Sequence, residues 1–165
     1  MHHPWRELRD RGNGVILHFT RFKDAQAAAT NSNNAIWLDR DLLQGERRCA
    51  VQHEQAHIDL GQTNCSDPRE EQTARRLTAQ KLIAWDALVD VIKWAHNALE
   101  AADELWVTPE VLEDHLRFNM SSTSYFQILT AIIDDPETAW MEPVLANRLR
   151  RLRYGDDRTL RDEEW

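Results

Sequence analysis

The chain contains no run of about eighteen consecutive apolar residues, so the sequence offers no transmembrane helix. The N-terminal residues Met1-His2-His3-Pro4-Trp5-Arg6-Glu7 also lack the apolar core of a secretory signal. Basic charge is in deficit: 20 lysines and arginines face 28 acidic side chains, for a net charge of −8 and a pI near 5.3. A protein that binds nucleic acid by neutralising phosphates needs a basic face, so this balance disfavours direct DNA binding. Cysteine is scarce. The only two, Cys49 and Cys65, have no C-x-x-C spacing, which argues against thiolate metal ligands. Together these absences predict a cytoplasmic protein with reduced thiols and no membrane partner.

What the chain does contain is His53-Glu54-Gln55-Ala56-His57, an H-E-x-x-H sequence. Side chains four apart on a helix share one face, a turn above each other. The spacing therefore lets His53 and His57 place two imidazole nitrogens at about 2.0–2.1 Å from one Zn²⁺. Glu54 stands beside the first ligand, where its carboxylate can take a proton from a zinc-activated water without ligating the ion. With seven histidines in the chain, the pattern would arise by chance in roughly two of a hundred such sequences. Its setting raises its weight. Residues Leu42 to Gly61 read as a helix, with Glu46 near its start, apolar Cys49, Ala50, Val51, Ala56, Ile58 and Leu60, and Gly61 as a natural C′ residue.

Catalytic zinc usually takes three protein ligands and leaves one position to water. Downstream, Asp67 as N-cap and Pro68 at the first helical position open a second helix through Ile83. Glu70 and Glu71 both suit the positive end of its dipole. Glu71 shares a stripe with Ala74, Thr78 and Leu82, whereas Glu70 aligns with the polar Thr73, so Glu71 is the better candidate ligand. Asp59 points off the metal face and reads as a surface or supporting group.

This arrangement resembles the ImmA/IrrE-type zinc peptidases: an H-E-x-x-H helix, a short loop, then a helix opening with E-x-x-A and an apolar run. The matching residues are His53-Glu54-Gln55-Ala56-His57 and Glu71-Gln72-Thr73-Ala74, followed by Leu77-Thr78-Ala79 and Leu82-Ile83. The resemblance implies zinc bound by His53, His57 and Glu71, with Glu54 as catalytic base. It covers residues 10–105. Leu77-Thr78 stands where the family usually has Phe-Ala, and Ala84 where it usually has proline; neither position has a metal role.

A length of 165 residues fits one domain, residues 1–165, with a sizeable core. The expected class is α+β: a small N-terminal sheet packed on a zinc-binding helix pair, then a mostly helical C-terminal part. Residues 10–105 would form the peptidase core, 106–147 a helical extension and 148–165 a charged tail. Residues 1–13 read as a short helix or arm, and Val15 to Phe22 as a strand. Asp24 to Thr30 is Ala-rich and reads as a brief turn of helix, Asn31 to Asn34 as a turn, and Ala35 to Asp39 as a further strand. By analogy with metallopeptidases, an exposed sheet edge along the cleft would pair with an extended substrate backbone.

Past the second helix, Trp85, Leu88, Val89, Ile92, Ala95, His96 and Leu99 recur at helical steps. Thr108-Pro109-Glu110 opens another helix and Ser122 to Ser124 a third, carrying Tyr125, Ile128, Leu129, Ile132 and Ile133. Residues 101–112 look like a helix-turn-helix, but Glu110, Glu113 and Asp114 occupy positions where a DNA reader wants Arg, Lys, Asn or Gln. His96 and His115, each on an apolar face, read as packed and hydrogen-bonded histidines. Arg148, Arg150, Arg151 and Arg153 form a local basic patch.

The leading functional expectation is a cytoplasmic zinc endopeptidase. The resemblance implies a protein substrate, a helix-turn-helix repressor of a phage, mobile element or stress regulon. The alternative is a metal-site module that regulates a repressor by association without cutting it. Glu54 favours the first, since a pure scaffold has no need of it.

Overall fold

A computed structural model of the chain describes residues 2–11, 14–22, 27–30, 35–61, 67–121 and 128. In chain order the described elements are α1 (Pro4–Asp10), β1 (Ile16–Thr20), β2 (Ala27–Thr30), β3 (Ala35–Asp39), α2 (Gln44–Asp59), α3 (Pro68–Leu82), α4 (Trp85–Ile92), α5 (Ala98–Glu104) and α6 (Pro109–Phe118). The fold is α+β, with a small sheet followed by a mostly helical part. No helix among the described residues is long and apolar enough to cross a membrane.

The sheet has the order β1-β3-β2, with β1 parallel and β2 antiparallel to β3. Period-2 alternation sends Ile36 and Leu38 of β3 inward, where they are fully buried with Leu42 and with Ala50 and Val51 of α2. Each fully buried aliphatic side chain of this kind contributes about 1.5–3 kcal/mol. The opposite face carries His18 stacked on Trp37, its register partner. Ala27–Thr30 is a strand, not the expected turn of helix. A short Ala-rich stretch cannot offset helix nucleation on its own, whereas pairing with β3 satisfies its backbone at once. Asn31 to Asn34 lie outside the described residues.

A second apolar cluster, built from Leu82, Ile83, Leu88, Ile92, Ala101, Ala102, Leu105, Leu112, Leu116 and Ile128 among others, joins α3 to α6. The periodic run from Trp85 to Leu99 does not form one helix. α4 stops at Ile92, and α5 begins afresh at Ala98, with Asn97 as its N-cap. The Asn97 side chain accepts the Glu100 N–H at 2.9 Å, and the Glu100 carboxylate accepts the His96 N–H at 2.8 Å. This local cap outcompetes continuation of the helix. Leu99 is consequently 61% exposed rather than on the apolar stripe. Past Ser121 only Ile128 is described, helical and buried, so the remainder of the expected Ser122 helix and the Arg148–Arg153 patch lie outside the described residues.

The helix α2 divides the two clusters and is unusually polar for its burial. Arg48, Gln52, Glu54, Gln55 and His57 are all buried. Arg48 donates to four backbone carbonyls: Leu105 at 3.3 Å, Trp106 at 2.7 Å, His2 at 3.1 Å and Leu82 at 3.2 Å. Gln55 donates to the Pro4 carbonyl at 3.2 Å, and Gln52 meets the His2 ring at 2.7 Å. These side chains fasten the N-terminal arm, the end of α3 and the α5–α6 turn to one helix. Cys49 lies within α2, buried, with its sulfur accepting the Thr108 N–H at 3.4 Å. Burial pushes its thiol pKa up, which keeps it protonated and unreactive. Cys65 lies outside the described residues.

Candidate metal centre

Two helix ends create the site. At its start, α2 is held by Glu46, whose carboxylate accepts the Leu43 N–H at 2.7 Å. It closes at Leu60, with Gly61 following at φ +65°, a left-handed conformation that glycine adopts without strain. His53 and His57 therefore sit on the last two turns. The next helix, α3, starts at Asp67, whose side chain accepts the Arg69 N–H at 2.8 Å, with Pro68 at the first helical position. It runs back along α2: Glu71 faces the two histidines and the Leu82 carbonyl faces Arg48.

His53 Nε2 and His57 Nε2 are 3.1 Å apart, and Glu71 Oε2 lies 3.5 Å from the first and 3.3 Å from the second. The imidazole rings meet edge to face, with centroids 4.6 Å apart at 89°. A tetrahedral ion with bonds of about 2.0–2.2 Å has ligand atoms about 3.3–3.6 Å apart; the two edges to Glu71 match this, and the His53–His57 edge is slightly shorter. Among the described residues, His53, His57 and Glu71 form the group of ligand-type side chains able to hold a metal ion. Side-chain exposure rises from 7% at His57 to 24% at His53 and 39% at Glu71, so the cluster is closed on one side and open on the other.

The two imidazoles hold the Glu71 carboxyl well below the usual carboxylate range by hydrogen bonding to its ionised form. Glu54 behaves oppositely. Burial pushes its pKa up; the nearby His53 and His57 oppose that rise and the Glu71 charge adds to it. The surroundings thus drive the pKa values of these two carboxylates in opposite directions.

Asp59 turns away from the cluster and pairs with Arg11 and, at 3.2 Å, with Lys81, as its place past His57 implies. His115 is buried, its Nδ1 3.0 Å from the Ala79 carbonyl, so it is a packed histidine that ties α6 to α3. His96 does not sit on an apolar face: its side chain is 59% exposed and pairs with Glu100 at 3.1 Å, because α5 restarts beside it. An open groove of about 700 Å³, lined by Trp94, His96, Leu99, Glu100, Asp103 and Glu104 among others, shares no residue with the metal cluster. Sequence reasoning missed the buried anchors Arg48, Gln52 and Gln55, and the bidentate pair between Arg75 and Asp114. Their only sequence signal is polarity at positions whose neighbours on the helix are core residues.

A family model described as a protein of unknown function (DUF3263) matches residues 96–160. This stretch takes in α5 and α6 but none of His53, Glu54, His57 or Glu71. No curated protein and no solved structure matches the chain.

Proposed function

We propose that the protein is a zinc-dependent endopeptidase of the ImmA/IrrE type, acting in the cytoplasm on a protein substrate. The observation that carries this reading is the Nε2–Nε2–Oε2 triangle of His53, His57 and Glu71, with the buried Glu54 carboxylate beside it. Its edges to Glu71 suit a tetrahedral ion, and its donors, two imidazoles and one carboxylate, are a set that zinc accepts in hydrolases. When bound, zinc supplies Lewis acidity, which makes water nucleophilic near neutral pH and polarises a carbonyl.

The remaining chemistry falls to this chain's own residues. His53 and His57 are presented by one helix and Glu71 by its neighbour, so all three donors stand on regular secondary structure. Glu54 takes the proton of the attacking water as its oxygen adds to the scissile carbonyl carbon. It then gives that proton to the amide nitrogen as the C–N bond breaks, yielding a carboxylic acid and an amine. Burial raises the Glu54 pKa, which makes its carboxylate a stronger base toward the proton of water.

The substrate class, a helix-turn-helix repressor, rests on the family resemblance of the two motifs. The test is cleavage of a candidate repressor by the zinc-loaded protein and by Glu54→Gln. Cutting by the wild type alone supports the peptidase. If the variant no longer cuts but still relieves repression in cells, association without cleavage is the function.

A further inference from the structure

Glu71 and Arg75 stand four apart on α3, with the acid on the N-terminal side. That is the favourable order for an ion pair along a helix. Left to themselves, the guanidinium would lie on the Glu71 carboxylate and occupy the oxygens that face the two imidazoles. It does not. Arg75 Nε meets Asp114 Oδ2 at 2.7 Å and its Nη2 meets Oδ1 at 2.8 Å, a two-pronged pair with a residue of α6. The Asp114 side chain is only 5% exposed, whereas that of Arg75 is 43% exposed and still within electrostatic range of Glu71. A buried carboxylate binds its cation more firmly than a half-exposed one does, because water competes less for it. Asp114 therefore wins the arginine.

We propose that Asp114 is a positioning residue for the metal centre: by holding Arg75 it keeps that guanidinium off Glu71, leaving the carboxylate to His53, His57 and the ion they would share. This rests on the metal-centre reading above. Without Asp114, Arg75 would compete for Glu71 and would also place an unbalanced positive charge beside a dication. Both effects weaken metal binding. The effect is peculiar to an arginine at position 75; a neutral side chain there would make Asp114 dispensable for the metal.

The test is Zn²⁺ affinity of the full chain, measured by competition with a chromophoric chelator at neutral pH and low salt. Wild type should bind one equivalent, and Asp114→Ala should bind about tenfold or more weakly, because the freed Arg75 then competes with the ion for Glu71. Asp114→Ala/Arg75→Met should return to within about threefold of wild type, since no guanidinium remains to compete. The deficit of Asp114→Ala should also shrink in high salt, which screens an exposed ion pair. Unfolding of the metal-free variants monitors the fold, and Asp114→Asn, which retains one acceptor, serves in place of Asp114→Ala should that variant not fold. A double variant as weak as Asp114→Ala would overturn the inference, because the loss would then come from α3–α6 packing. Wild-type affinity in Asp114→Ala would overturn it as well. Failure of the wild type itself to bind zinc would instead remove the metal-centre reading on which the inference depends.

Discussion

His57 Nε2 lies 3.3 Å from Glu71 Oε2, a contact that joins the last turn of α2 to the first turns of α3. Neither group reaches this position through its own helix alone. The antiparallel pairing of α2 and α3 brings them together, with the Leu82 carbonyl on Arg48 at the other end. A cation at this point would tie the two helices together, so occupancy and stability are linked.

Purified protein should hold close to one zinc per chain by elemental analysis. His57→Ala and Glu71→Ala should lose most of it, and Glu70→Ala should keep it. Added zinc at about a hundredfold over its Kd should raise stability by about 2.7 kcal/mol, visible as a higher Tm that a chelator reverses. Stoichiometric zinc in His53→Ala/His57→Ala would place the site elsewhere.

Glu54→Gln should retain zinc and fold but lose cleavage. The amide nearly matches the carboxylate in shape but cannot accept a proton at neutral pH, and the general-base contribution at stake is about 10²–10⁴-fold. Single-turnover assays on the cognate substrate read this directly. A variant cutting at the wild-type rate would end the proposed mechanism.

Arg48→Lys should destabilise the protein by about 3 kcal/mol, despite keeping the charge. The guanidinium reaches four carbonyls from two nitrogens, and a lysine ammonium offers three protons from a single nitrogen. The carbonyls left over stay buried and unpaired, which is costly. Urea unfolding of both proteins checks this; a difference below about 0.5 kcal/mol would mean that Arg48 is replaceable.

Stability should fall as the pH drops below about 6.5, more steeply in the wild type than in His115→Gln. Burial lowers the His115 pKa below that of a free imidazole, with the Ala79 carbonyl only partly opposing it. A histidine depressed in this way is neutral in the folded state while the unfolded chain already binds a proton. Its contribution is therefore complete above the unfolded pKa and is lost as the pH falls toward the folded one. Thermal melts between pH 5 and 8 should show a shallower acid slope for the variant. Parallel curves would mean that His115 titrates alike in both states.

The local parts of the candidate site were legible in the sequence because they are short-range. A four-residue spacing puts His53 and His57 on one helical face, Asp67-Pro68 opens α3, and Gly61 closes α2, all within a turn or two of chain. The same physics made the start of α6 readable from Thr108-Pro109. It failed at Ala27–Thr30, where pairing with a neighbouring strand outweighs a weak helical preference. It failed again at Leu99, because the Asn97–Glu100 cap starts a new helix and overrides the apolar periodicity.

By itself, then, the sequence determined the α+β class, the histidine pair and the choice of Glu71 over Glu70 as the carboxylate facing it, because periodicity and capping act locally. Only the tertiary structure decided the rest. It set the 3.3 Å approach of Glu71 to His57, the burial that raises the Glu54 pKa, the four carbonyls gathered on Arg48, and the assignment of Arg75 to Asp114 rather than to Glu71. Each of these depends on groups far apart in the chain and on removal from water. Charge and hydrogen-bond energies change severalfold with burial, and burial is a property of the packed fold rather than of any single segment.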